Sequence, residues 1–217
     1  MSDNSVRVAV RIRHLIETEI ERGCQTCLKV VPDVPEIVID NRDKSFTFNY
    51  VFPPAINQED FYNTSVKDII KNIFEGYNVN ILAYGQTGSG KTYSMGTNYN
   101  IGADNLSVIP RTVNDIFDIV SLKEEWNFKI TVSFMELYQD QLYDLLTDKQ
   151  RSQSMVNIRD DGKNINVIGI VENGVTNEAE TLLCSIIFSH IHSFSLSCFL
   201  SPLFKFFFFT FPKMFIC

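Results

Sequence analysis

Gly85-Gln86-Thr87-Gly88-Ser89-Gly90-Lys91-Thr92 is the stretch on which the fold turns. It matches G-x-x-x-x-G-K-[ST], a loop whose glycines let the backbone curl until successive N–H groups point inward at phosphate oxygens. With glycine near ~7% of residues, a chance match in a chain of this length is expected on the order of once in a hundred sequences. The context strengthens the reading, because Val79-Asn80-Ile81-Leu82-Ala83-Tyr84 is an apolar run of strand length that leads straight into Gly85. A helix opening after the loop would turn its positive end toward an anion. In such a cradle Lys91 bridges the β- and γ-phosphates and the Thr92 hydroxyl holds Mg²⁺. The expected ligands are therefore a nucleoside triphosphate and Mg²⁺.

Working outward, Val6-Arg7-Val8-Ala9-Val10-Arg11-Ile12-Arg13 alternates as a half-buried strand does. Ile37-Val38-Ile39 and Phe46-Thr47-Phe48, separated by Asp40-Asn41-Arg42-Asp43, predict a hairpin. Between Gln58 and Glu75 apolar residues recur at three- and four-residue intervals, and Gly76 stands where a helix would stop. Beyond the glycine loop, a polar surface loop is expected from Gly96 to Ser107 and a helix from Ile109-Pro110 onward, with Val113, Ile116, Phe117 and Val120 on one face. Phe128 to Leu137 reads as a strand and Tyr138 to Leu146 as helical. Val156 to Val171 reads as strands around Asp160-Asp161-Gly162, and Asn177 begins another helix.

The chain has 217 residues, 45% hydrophobic and 21% charged, which suits one globular core and excludes a collagen-like or wholly disordered chain. A net charge of -7 argues against a nucleic-acid-coating surface. Five cysteines are too few and too irregular for a secreted disulfide framework. Cys24-x-x-Cys27 allows a zinc or redox reading, but no second pair lies at metal-ligand spacing. Met1 to Asn4 has no signal-peptide core, so a cytoplasmic location is expected.

Composition changes abruptly near Ser185. All 26 acidic residues precede it, whereas the last 33 residues hold 10 of the 18 Phe and, as charges, only Lys205 and Lys213. Of those 33, 21 are Phe, Ser, Leu or Pro, types written largely by pyrimidine-rich codons. Residues 1–184 are accordingly read as the folded nucleotide-binding part and 185–217 as a Phe/Ser-rich tail foreign to it, a translated intron or gene-model error. Ile186 to Leu203 is diluted by Ser, two His and Pro202, so the tail is expected to aggregate instead of spanning a membrane.

The loop from Gly85 through Tyr93-Ser94-Met95-Gly96, preceded by Ala83-Tyr84, resembles the kinesin version of this motif. Val10-Arg11-Ile12-Arg13 is similar to the family's adenine-side first strand, and Val108-Ile109-Pro110-Arg111 to its loop-to-helix junction. Val132-Ser133-Phe134-Met135-Glu136-Leu137-Tyr138-Gln139-Asp140-Gln141-Leu142-Tyr143-Asp144-Leu145-Leu146 is similar to its long signature segment. Ile158-Arg159-Asp160-Asp161-Gly162 and the run through Glu180 lean toward the chromokinesin branch.

The resemblance covers Val6 to about Cys184, the N-terminal part of a motor domain. It implies an α/β P-loop NTPase with a mixed, parallel-centred sheet, helices on both faces, and the activity of a microtubule-stimulated ATPase. Arg11 and Arg13 would line the adenine and ribose side and Tyr93 would stack on the base. His14 stands where the family has proline, and an imidazole stacks without fixing the backbone as a pyrrolidine ring does. Read without the family, the two arginines are outward positions of a strand and His14 a turn residue. Microtubules are the implied partner, with a spindle or nuclear location if the chromokinesin likeness holds. The loop from Lys149 to Met155 would touch tubulin.

The family's γ-phosphate sensors, N-x-x-S-S-R-S-H and D-x-x-G, do not occur, and Ser189-His190 is only a dipeptide. Ile37-Val38-Ile39-Asp40 precedes the loop and ends in a turn, which favours a hairpin strand. No catalytic residue is therefore assigned, and the neck and oligomerisation elements are also absent. The expectation is a truncated motor of low stability with its central strand uncovered. An ATP-binding module without motor activity and a non-functional fragment are the alternatives.

Overall fold

A computed structural model describes residues 6–40, 44–96, 105–162, 165–186, 195–200 and 204–210. The chain divides into two units, Met1–Ser65 and Val66–Cys217. Most of the loop expected at Gly96 to Ser107, and Ser189-His190, lie outside the described residues.

The first unit opens with strand β1 (Ala9–Arg11) and helix α1 (Glu17–Glu21), followed by β2 (Leu28–Val30), β3 (Glu36–Ile39), β4 (Lys44–Thr47) and β5 (Tyr50–Phe52), and closes with helix α2 (Gln58–Ser65). β1 is shorter than the alternation from Val6 to Arg13 suggests. It pairs in parallel with β5 over only three residues, and the amide of Val8 already turns to the Asn49 side chain at 2.8 Å. The predicted hairpin is present as β3 and β4 in antiparallel register, with β2 added on the other edge of β3. Asp40 ends β3 in an ion pair with Lys29 at 2.7 Å, the environment of a hairpin end. Phe52 and Phe61 meet edge-on in the apolar part of this unit, with Tyr62 2% exposed.

One helix expected from Gln58 to Glu75 is three pieces: α2, then α3 (Lys67–Lys71), then a 3-10 turn over Asn72–Glu75. Asn57 starts it, its side chain accepting the Asp60 amide at 2.7 Å. The break follows Ser65, whose hydroxyl donates to the Phe61 carbonyl at 2.7 Å, a back-bond that bends helices. Gly76, at φ 93°, stops the run in the left-handed conformation.

The second unit continues with β6 (Val79–Ala83), α4 (Lys91–Met95), α5 (Val108–Ser121), β7 (Ile130–Tyr138), β8 (Gln141–Asp144), β9 (Met155–Asp160), β10 (Ile165–Ile168), β11 (Asn173–Val175), α6 (Glu178–Ile186), β12 (Ser195–Leu200) and β13 (Phe204–Thr210). Eight strands form one sheet in the order β10-β9-β8-β7-β12-β13-β6, with β11 also on β7. β7 is buried from Ile130 through Glu136, its apolar Ile130, Val132, Phe134 and Met135 interleaved with buried Thr131, Ser133 and Glu136. The amphipathic α5 buries Val108, Ile109, Val113, Ile116 and Phe117 and touches α3, α4 and α6. α6 is capped by Asn177, whose side chain accepts the Glu180 amide while Glu180 accepts that of Thr176.

Three expectations are corrected here. Tyr138 to Leu146 is not helical: Gln139 and Asp140 take φ of 48° and 61°, and β7 folds back on β8. Two successive left-handed residues make the tight turn whose twist suits a hairpin, and that turn overrides the local helical spacing. The sheet is mixed but not parallel-centred, because among the described residues only β6 and β13 pair in parallel within it. Strands joined by turns as short as 139–140 can only run antiparallel. Finally, β6 is not left uncovered, since β13 runs along it from Phe206 beside Val79 to Thr210 beside Ala83, and β12 links β13 to β7. A charge-poor run of Phe has high strand propensity, and an unpaired strand edge is a template for it. No helix among the described residues is long and apolar enough to cross a membrane.

Candidate functional site: the glycine loop after β6

β6 delivers the chain into a loop that only glycine could follow at two points. Gly88 and Gly90 take φ of 81° and 97°, in the left-handed region that side chains with a Cβ rarely adopt. Gly85 adds a spatial demand, because a Cβ there would run into the Ser89 hydroxyl. The loop is closed by the Ser89 amide donating to the Gln86 carbonyl at 3.1 Å. Gly90 then caps α4, and the Ser94 amide returns to the Gly90 carbonyl at 2.9 Å. The first turn of any helix presents amide N–H groups with no partner inside the helix. Here that turn begins at Lys91, directly after the loop.

Lys91 lies across the loop: its ammonium donates to the Gly85 carbonyl at 2.6 Å and the Gln86 carbonyl at 3.0 Å. A cation is thus held at the mouth of a backbone curl by neutral acceptors, which phosphate oxygens surpass as partners for an ammonium. Gln86, Thr87, Gly88, Thr92 and Tyr93 are exposed around it. The structure therefore brings Gly85 through Tyr93 together in one loop and helix start. For a metal the loop and helix start carry neutral hydroxyls, that of Thr92 among them, and no cluster of three or more His, Cys, Asp or Glu side chains suited to a metal ion occurs among the described residues.

Arg11, Arg13 and His14 belong to the other unit. The Arg11 guanidinium donates to Gln58 Oε1 at 2.7 Å and to the Ile56 carbonyl at 3.3 Å, and lies 4.7 Å over the Phe61 ring. Arg13 reaches the His14 carbonyl at 2.7 Å and both carboxylate oxygens of Glu19, at 2.7 and 2.5 Å. The forked bond to Arg13, helped by the Ile16 amide, holds the Glu19 carboxyl down at about 2 from its ordinary 4.5, while Glu19 raises the Arg13 guanidinium further. His14 is exposed.

One charged assembly escaped the sequence reading. Glu136, 2% exposed on β7, accepts from Arg151 at 2.8 Å, and the guanidinium sits 4.6 and 4.5 Å over the rings of Tyr138 and Tyr143. A carboxylate inside a strand with no other charged residue was the available signal, since a buried charge requires a partner. This contact fixes the loop from Lys149 to Met155, which contains a 3-10 turn at Arg151–Gln153.

The kinesin motor domain family model matches residues 11–187 of this chain. Chromosome-associated kinesin KIF4 of Mus musculus is 44% identical over 183 residues, covering 82% of this chain and 15% of the relative. KIF4A of Homo sapiens matches to the same extent, and the human kinesin-like protein KIF21A is 36% identical over 199 residues, covering 84% of this chain and 12% of the relative. The chain thus spans about 15% of the length of the KIF4 relatives. With a glycine loop of this geometry inside a match that takes in most of its residues, the chain belongs to the kinesin motor domain family.

Proposed function

We propose that this chain is the ATP-binding part of a microtubule motor, with Gly85 to Thr92 wrapping the triphosphate. The observation that carries the reading is Lys91 spread across the Gly85 and Gln86 carbonyls, where an arriving phosphate oxygen can take over the ammonium. Loop amides hold the phosphates, Lys91 neutralises the β- and γ-oxygens, and Tyr93, 57% exposed just beyond the loop, is the base-side residue by family position. Arg11, Arg13 and His14 are the adenine-side residues by family position. Mg²⁺ accompanies nucleotide in this family, and Thr92 is the residue that would meet it.

The parent protein is proposed to be a microtubule-stimulated ATPase, associated with the cytoskeleton and, by likeness to relatives named chromosome-associated, with the spindle or nucleus. For this chain alone we favour nucleotide binding without motor activity, because neither γ-phosphate sensor pattern occurs in its sequence. The boundary at Cys184, with residues 185–217 foreign to the motor, belongs to the same proposal, and transcript reads crossing the Cys184 codon test it. Titration with labelled ATP, with and without microtubules, tests the function. Binding without stimulated turnover is expected. Stimulated turnover would make the chain a motor by itself, and no binding would leave it a fragment without function.

A further inference from the structure

We infer that this chain holds ATP by its phosphates alone, without a Mg²⁺ gripped by protein carboxylates, so that its affinity hardly depends on the cation. The inference rests on the ATP-binding reading above and specifies how that site works. Mg²⁺ demands near-octahedral oxygen ligands and is usually bound through one or two carboxylates together with substrate phosphates. In P-loop folds a strand-borne aspartate supplies that carboxylate.

Here the place beside the P-loop strand belongs to β13, which runs parallel to β6 and brings Thr210 level with Ala83, two residues before Gly85. Its sequence, Phe204-Lys205-Phe206-Phe207-Phe208-Phe209-Thr210, contains no acid. The next strand, β12, reads Ser195-Leu196-Ser197-Cys198-Phe199-Leu200 and contains none either. Following the same row of the sheet, Leu82 lies beside Phe209, Phe209 beside Ser195, and Ser195 beside Met135. Glu136, one residue further along β7, is therefore the first carboxylate met along that row of the sheet among the described residues. It stands three strands from β6, about 14 Å away at a strand spacing of about 4.8 Å. It is also buried and committed to Arg151.

The groups suited to phosphate, in contrast, lie together in the loop: its glycine backbone and the Lys91 ammonium. Removing Mg²⁺ from solution then takes nothing from the protein's own grip except whatever neutral hydroxyls such as that of Thr92 contribute.

The full chain is titrated with methylanthraniloyl-ATP, followed by fluorescence anisotropy, in excess MgCl₂ and in excess EDTA. The dissociation constant in EDTA is expected to stay within about threefold of that in Mg²⁺, or to be tighter. Binding in Mg²⁺ that weakens by more than about threefold in EDTA overturns the inference and leaves the ATP site standing. Absence of binding in both buffers removes the ATP-binding reading and this inference with it.

Discussion

Lys91 is the residue whose removal separates the site from its scaffold. Among the described residues its ammonium contacts loop carbonyls of Gly85 and Gln86, so Lys91→Ala leaves the backbone curl in place and removes one charge-assisted bond to phosphate. Such bonds contribute about 1.5–3 kcal/mol, so ATP affinity should fall roughly ten- to a hundredfold while the circular dichroism spectrum stays unchanged. Unchanged affinity would mean that the loop does not hold a triphosphate. At the other unit, Glu19 makes a prediction in pH. Its folded carboxyl sits at about 2 against an ordinary 4.5, held there first by Arg13 and then by the Ile16 amide. A depressed carboxyl contributes stability above the unfolded value, and that contribution drains away as pH falls toward the folded one. The stability gap between the native chain and Glu19→Gln should accordingly be present near neutrality and close between pH 4.5 and about 2. A gap that does not change with acid would show that the pair contributes nothing in solution, as partly exposed pairs often do.

Among the elements, the β7–β8 hairpin stores the most obvious backbone strain. Gln139 and Asp140 both occupy the left-handed region, which costs non-glycine residues roughly 1–2 kcal/mol each. Replacing the pair by Asn-Gly, the preferred tight-turn dipeptide, should stabilise the chain by about 1 kcal/mol in a denaturant titration. A loss of stability would mean that the turn differs from the one described. The same hairpin shows why parts of the fold were illegible in the sequence. Tyr138, Leu142, Tyr143 and Leu146 have helical spacing, and nothing local announces that two residues without glycine will turn the chain. The strand, loop and helix start around Gly85 were legible because each piece depends on neighbours in sequence. So were β3, β4, α5 and α6, whose periodicity and caps are local. The break at Ser65 depended on one hydroxyl choosing the Phe61 carbonyl, and the pairing of β13 with β6 joins residues more than a hundred apart. Glu136 was visible as an anomaly, but its answer, Arg151 between two tyrosines, needed the folded loop.

For the whole molecule, the sheet of the second unit depends on its last two strands. β6 carries the glycine loop, and its sheet partner among the described residues is β13; β13 in turn reaches β7 only through β12. Ending the chain at Ile186 would therefore detach β6 from the β7–β10 ladder and open one edge of β7, whose residues from Ile130 to Glu136 are buried in the intact chain. Unpaired apolar strand edges recruit other chains. The shortened protein should show light scattering that rises with concentration, a broad thermal transition in place of a cooperative one, and weaker binding of ATP, because the loop after Ala83 has lost the strand that holds it level. The opposite result is equally informative. A monomer with an unchanged melting temperature and unchanged ATP affinity would mean that β12 and β13 merely occupy the edge of β6. In that case Phe204 to Thr210 would have no part in organising the phosphate site, and the composition change at Ser185 would mark the true end of the folded unit. Comparing the two chains at several concentrations separates these cases, since lost intramolecular pairing is made good by association only when the exposed edge was needed.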